Sequence, residues 1–193
     1  MQSRSSHGLD QFCASLQERP GLAILDLAGA NQNTISFVTN QGHRLFSDDF
    51  LLQLDRCFGE GDFYQNQTSH LLAQQFLESA LDFPAEHFDG VLVWDALEFL
   101  APPLLDMVVK RLWGIVRPQG HLFALFHGQE RLAPVATYSY RIGDQRSILM
   151  VPRGPRQPAQ SFNNRGLERL FHDFASVKFF LTRDHLREVI VRR

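Results

Sequence analysis

GLAILDLAGANQNTISFVTNQGHRLFSDD, running from Gly21 to Asp49, is the part of the chain from which the rest can be laid out. The apolar run Leu22-Ala23-Ile24-Leu25 ends on the carboxylate Asp26, and a turn of small and amide residues follows, Ala28-Gly29-Ala30-Asn31. A helical piece with Ile35 and Val38 on one face stops near Gly42, and a second short strand, Arg44 to Ser47, ends on Asp48-Asp49. Strand, tight turn, helix, strand, and an acid some 20 residues beyond the turn is the order of a nucleotide-binding βαβ unit. Such a turn brings backbone N–H groups and a helix N-terminus up to a ligand, and the second acid can hold a ribose diol. The ligand of this chain is expected there.

With 193 residues, 44% of them apolar, the chain can bury one sizeable core, so residues 1–193 are expected to form one domain. A net charge of −2 gives no general attraction to nucleic acid or an anionic membrane. The apolar runs are strand-sized, too short to span a bilayer, and MQSRSSHGLD lacks the apolar segment of a signal peptide. Cys13 and Cys57 match no metal spacing and read as free thiols of a reducing cytosol. The remaining histidines show no paired spacing, so no metal is assigned.

Outward from the opening unit, apolar residues at 9, 12, 13 and 16 predict a short helix covering one edge of the sheet. Helical spacing continues through Phe50, Leu51, Leu54 and Phe58, and again from Ser69 to Ser79, ending at Asp82-Phe83-Pro84. FDGVLVW, Phe88 to Trp94, is apolar on both faces, as strands inside a covered parallel sheet are. Pro102-Pro103 opens a helix, Arg117-Pro118-Gln119-Gly120 reads as a turn, and His121 to Phe126 is another buried strand. The pattern predicts a doubly wound, mainly parallel α/β sheet. Between Asp49 and Phe88 no β-rich run occurs, so the strand usual there is expected to be short or missing. Later, Tyr138–Ile142 and Arg146–Val151 read as a hairpin, Pro152 to Gln160 as a proline-rich loop, and Asn163 or Asn164 as a helix cap. Ser176–Leu181 and Leu186–Val191 form a closing antiparallel hairpin about residues 182–185.

This order of parts, from about Leu22 to Arg193, resembles the class I S-adenosylmethionine-dependent methyltransferases. The resemblance rests on Ile24 to Ala30 at the glycine-rich turn, Phe88 to Leu100 at the fourth strand, Val116 to Gly120 before the fifth, and the terminal hairpin. It implies a Rossmann-like sheet with an antiparallel C-terminal hairpin, S-adenosylmethionine as cofactor, and methyl transfer to a small-molecule acceptor. The family's three turn glycines are replaced here, and the single glycine, Gly29, sits one position off. Gly29 is the residue expected at positive φ, with Asn31 next in tolerance.

The cofactor residues this resemblance implies are Asp26, Ala28, Gly29, Asn31, Asp48, Ala80 and Trp94. Asp26 would orient the cofactor's amino group or else cap the turn, and Asp48 (or Asp49) would take the ribose. Trp94 would lie against the adenine, line the acceptor side, or simply pack at the sheet end. Ser79 stands where an adenine-contacting acid often stands. Catalysis is assigned to no residue: Asp95 and His127 are the candidates, with Glu98 between them, because both strands would open onto one carboxyl-end crevice. Arg153 and Arg156 would either receive an anionic substrate or serve solubility. A compact core suits a small acceptor rather than nucleic acid. Two other readings stay open: a catalytically silent methyltransferase-like partner module, favoured by the altered turn, and a nicotinamide oxidoreductase, disfavoured by the antiparallel tail and the lack of G-x-G-x-x-G.

Overall fold

Alternation along the inner strands divides the core in two. Ala23, Leu25, Val91, Val93, Leu122 and Ala124 point to one side, and Leu22, Ile24, Leu92, Trp94, Phe123 and Leu125 to the other, all buried. A computed structural model describes residues 1–17, 19–128, 132–182 and 186–193. Its elements in order begin with β1 (Gln2–Ser5), α1 (His7–Leu16), β2 (Ala23–Asp26), α2 (Gln32–Asn40), β3 (Arg44–Ser47), α3 (Phe50–Phe58), α4 (Phe63–Asn66) and α5 (His70–Ala80). Then come β4 (Phe88–Trp94), a 3₁₀ turn (Ala96–Phe99), α6 (Pro102–Ile115), β5 (Val116–His127), β6 (Val135–Asp144) and β7 (Ser147–Arg156). The chain closes with α7 (Asn164–Leu170), β8 (Ser176–Leu181) and β9 (Leu186–Arg192).

The main sheet has the order β3-β2-β4-β5-β9-β8. β3, β2, β4 and β5 run parallel, and β9 enters antiparallel between β5 and β8. The three expected inner strands are thus all flanked on both sides. No strand lies between Asp49 and Phe88, where α3, α4 and α5 stand instead, so β3 is the sheet's edge. Helix ends follow their caps: Ser6, Asn31, Asp49, Ser69 and Asn163 each accept a backbone N–H of the first turn.

Three expectations need correction. The first helix does not cover an edge; α1 lies on a face, with Phe12 over Gly90 of β4 and beside Phe123 of β5. A Cβ at Gly90 would stand 2.8 Å from the Phe12 ring, so this close approach needs glycine. The polar residues 2–5, for which no element was expected, form β1 because they pair with β7, making a three-stranded antiparallel sheet β1-β7-β6. Arg117 to Gly120 is not a turn before the strand but an irregular part of β5, with Gln119 at φ +69°. Pro152 to Arg156 belongs to β7 rather than to a loop. β1 covers only residues 147–150, so beyond them β7 is an edge strand, where proline's missing N–H is tolerated. The turn of the closing hairpin, Arg183 to His185, lies outside the described residues.

Because Phe12 is fully buried between sheet and helix, Phe12→Ala should lower stability by about 3–5 kcal/mol. Urea unfolding measures this, and a loss well under about 1 kcal/mol would mean that α1 is peripheral after all.

Candidate functional site

The crevice beyond the carboxyl ends of β2, β3 and β4 begins with Asp26, whose side chain is fully buried. Its Oδ1 accepts from the backbone N–H of Ala28 at 3.0 Å and from the indole N–H of Trp94 at 2.7 Å, and its Oδ2 has no partner. Burial pushes this carboxyl up to about 6, against the pull of the two donors. Gly29 stands at φ +89° and gives its N–H to the carbonyl of Asp48 at 3.0 Å. Ala28 bridges to Asp49, and the N–H of Phe50 reaches the carbonyl of Leu27 at 3.1 Å. The turn after β2 is therefore stitched to the end of β3. Asn31 caps α2 by accepting from Thr34.

Trp94 ends β4 at φ +58°, a conformation a bulky residue adopts only when its surroundings hold it there. Three contacts do so. The indole donates to Asp26, stacks on Tyr140 of β6 at 5.2 Å with planes 6° apart, and meets the edge of Phe123 at 5.7 Å. The Tyr140 hydroxyl donates to Oδ2 of Asp95 at 3.0 Å. Asp95 is completely buried, and that burial drives its carboxyl up to about 7.

β7 closes the crevice from above. Opposite Thr137 and Tyr138 of β6 stand Gly154 and Pro152, so Arg153 is the extra residue of a β-bulge. The bulge aims its guanidinium at Asp49, and the two groups pair fork to fork, Nη1 to Oδ1 at 2.9 Å and Nη2 to Oδ2. Three residues on, Arg156 pairs with both oxygens of Asp55 on α3 at 2.6–2.7 Å and lies over the rings of Phe63 and Phe99, 5.5 Å from each. Both arginines thus latch β7 to α3 and its cap.

On the β5 side, Glu98 is buried and grips His127 twice, taking its backbone N–H at 2.6 Å and facing its Nδ1 at 2.6 Å. Asp95, Glu98 and His127 thus form one connected set. Burial raises the Glu98 carboxyl, and the contacts to His127 pull it back.

No family model matches the chain, and no curated protein sequence matches it. Solved structures do. A 1,6-didemethyltoxoflavin-N1-methyltransferase of Burkholderia thailandensis, crystallised with 1,6-didemethyltoxoflavin and S-adenosylhomocysteine, superimposes with TM-score 0.55 at 18% identity over 96% of this chain and 76% of that one. An S-adenosylmethionine-dependent methyltransferase of Methanosarcina mazei gives 0.53 at 14% identity, covering 94% and 96%. One of Archaeoglobus fulgidus gives 0.53 at 13%, covering 96% and 91%. The chain has the fold of the S-adenosylmethionine-dependent methyltransferases. Its sheet order, with the antiparallel strand second from one edge, is the order the resemblance implied, less one strand.

The acceptors at these strand ends could hold the polar ends of such a cofactor: Asp26 keeps one unpartnered carboxylate oxygen, and the half-buried Asp48, directly after β3, accepts among the described residues from Gln53 at 3.4 Å. Space is what the crevice lacks in this conformation, since Trp94 and the Arg153–Asp49 pair occupy it. Of the residues singled out from sequence, Asp26, Ala28, Gly29, Asp48 and Trp94 meet around this crevice, and Asn31 stands at its rim. Ala80 ends α5 inside the main apolar core. Tyr140 was not foreseen as part of the site, and the alternation in Tyr138-Ser139-Tyr140 was the available signal. Arg153 and Arg156, read as receivers of an anionic substrate or as solubilising, instead pair with Asp49 and Asp55, and no local pattern marks the bulge that aims Arg153.

Three carboxyls, Asp26, Asp95 and Glu98, are held above their ordinary range and give a signed pH dependence. An acid whose folded pKa lies above its unfolded value stabilises the fold at low pH, and that contribution fades as pH rises through the folded value. For Asp95 the window runs from about 4 to about 7. Asp95→Asn keeps an acceptor for Tyr140 but cannot ionise. It should gain on the wild type by on the order of 1 kcal/mol or more between pH 4.5 and 8. Urea unfolding at the two pH values measures the gain; a constant difference would mean that Asp95 titrates as an exposed acid.

Proposed function

We propose that the chain is a methyltransferase that binds S-adenosylmethionine in the crevice between Asp26, Gly29 and Asp48 and acts on a small-molecule acceptor. The observation that carries this reading is the buried, half-satisfied Asp26 at the mouth of β2 of a methyltransferase fold, facing a turn whose only left-handed residue is Gly29. When bound, the cofactor supplies an electrophilic methyl on a sulfonium, a reaction that chiefly requires alignment of the acceptor. The rest falls to side chains. Asp26 holds the ammonium end, Ala28 and Ala30 leave room beside Gly29, and Asp48 accepts from the ribose hydroxyls. Trp94 walls the crevice on the β6 side. His127, fixed by Glu98, is the group placed to take a proton from a hydroxyl or amine acceptor, and Asp95 is too deeply buried for that role. The setting we propose is the cytosol, where the unpaired Cys13 and Cys57 stay reduced.

The closed crevice favours a second reading, a methyltransferase-like module that binds a partner without catalysis. Calorimetry with S-adenosylmethionine and S-adenosylhomocysteine separates the two. In the enzyme reading, Arg153→Ala frees Asp49 and should tighten cofactor binding by up to about fivefold, the scale of one exposed ion pair. Asp48→Ala should weaken it by roughly 1.5–3 kcal/mol, the scale of a lost charge-assisted hydrogen bond. Binding by neither wild type nor Arg153→Ala at millimolar ligand would leave only the module.

A further inference from the structure

Beside the crevice, past the end of β5, a cleft of about 710 Å³ opens between the first turns of α6, the segment 160–163, α7 and β9. That is the volume of a small-molecule site. Leu105, Phe162 and Leu170 give it apolar walls, and Arg187 of β9 and Arg169 of α7 give it positive charge. Arg187 is the informative residue. Its Nη1 donates to the carbonyl of Phe162 at 2.8 Å, while its Nε is buried and unpartnered. The buried Nε is out of a ligand's reach, but an arginine anchored through one Nη has the other Nη left to donate to an anion in the cleft. One acid, Asp106, lines the same cleft against the two arginines, so the balance remains positive.

We propose that this cleft binds a small carboxylate with a flat or branched apolar body, the carboxylate taken by Arg187 and the body lying against Leu105, Phe162 and Leu170. Its place in the fold suggests what the ligand is for. Gly128, which lines the cleft, directly follows His127, and the charge of Arg187 is felt by Glu98, the residue that holds His127. Resting on the methyltransferase reading above, a hydroxyl or amine at the far end of this carboxylate would accept the methyl: the methyl's bond to the sulfonium sulfur would break, a C–O or C–N bond would form, and the released proton would go to His127.

Benzoate and its neutral analogue benzamide, added to the protein without cofactor, test the site. Titration followed by amide NMR should show saturable shifts for benzoate at Gly128, Ser161 and Gly166. Benzamide should bind about tenfold more weakly or less, because it offers no charge to Arg187. Arg187→Gln should weaken benzoate by about tenfold or more, and Arg187→Lys, which keeps the charge without the fork, should restore part of that loss. No saturable shift, equal binding of the two probes, or full benzoate binding by Arg187→Gln would overturn the proposal. Should Arg187→Gln fail to fold, the benzoate–benzamide comparison on the wild type decides. Because no cofactor is present, the result is independent of the crevice. Benzoate binding without cofactor binding would keep the anion site and overturn the methyltransferase role. Cofactor binding without benzoate binding would do the reverse.

Discussion

The hydrogen bond from the Trp94 indole to Asp26 governs the arrangement of this end of the molecule. A carboxylate removed from water without partners is unfavourable by several kcal/mol, and the sheet end offers Asp26 only one backbone donor, from Ala28. The second donor has to come from β4. To supply it Trp94 adopts φ +58°, a strain of order 1–3 kcal/mol for such a residue. Burial of the indole against Tyr140 and Phe123 offsets that strain, since a buried aromatic of this size is worth about 3–5 kcal/mol. Tyr140 can stack there only if β6 lies on the sheet. β6 in turn needs β7, and β7 needs β1 along its other side. The three-stranded sheet is thus tied to the main one through the Tyr140–Trp94 stack and the Tyr140–Asp95 hydrogen bond, and its outer end through the Arg153–Asp49 and Arg156–Asp55 pairs.

What the sequence made legible follows from period. Two-sided apolar strands and helices with Ser, Asp or Asn at their starts are local signals, and they placed the four parallel strands and the helices between them. The missing strand was legible for the same reason, because Phe50 to Phe58 and Ser69 to Ser79 carry helical spacing. Gln2 to Ser5 carries no signal of its own and becomes a strand only through β7. Pro152 and Pro155 argue against a strand locally, yet are tolerated because the facing side of β7 is unpaired. The site was legible to the extent that strand ends locate it: Asp26, Gly29 and Asp48 converge because parallel strands end together. That the Trp94 indole reaches Asp26, and that Arg153 reaches Asp49 from 104 residues away, depends on tertiary packing alone.

The altered glycine turn also has a physical account. Only one residue of the turn needs positive φ, and Gly29 supplies it, so alanine at 28 and 30 meets no backbone constraint. Alanine instead permits the bridge from Ala28 to Asp49, while Gly29 donates to Asp48. β3 is only four residues long and stands at the edge, without the neighbour a third strand would give it. These contacts, with the Asp49 cap of α3, hold its end in place. The turn therefore serves the edge strand as well as any ligand.

Magnitudes decide how such a crevice could admit a cofactor. Moving Trp94 would break a buried charge-assisted hydrogen bond, separate the Tyr140 stack and leave Asp26 buried with a single donor, a loss of several kcal/mol. Releasing Arg153 breaks one partly exposed ion pair, worth about 0.2–1 kcal/mol, and the bulge that carries it lies on an edge strand whose backbone is unpaired on its outer side. The Arg156–Asp55 pair is similarly exposed on its acid side. The cheap motion is therefore a lifting of the outer end of β7, with β6, Tyr140 and Trp94 staying on the sheet. A ligand entering that way would lie over the stitched turn, beside Gly29 and the Asp48 side chain, and meet the indole as a fixed wall. The same side chain that fills the closed crevice would then bound the open one.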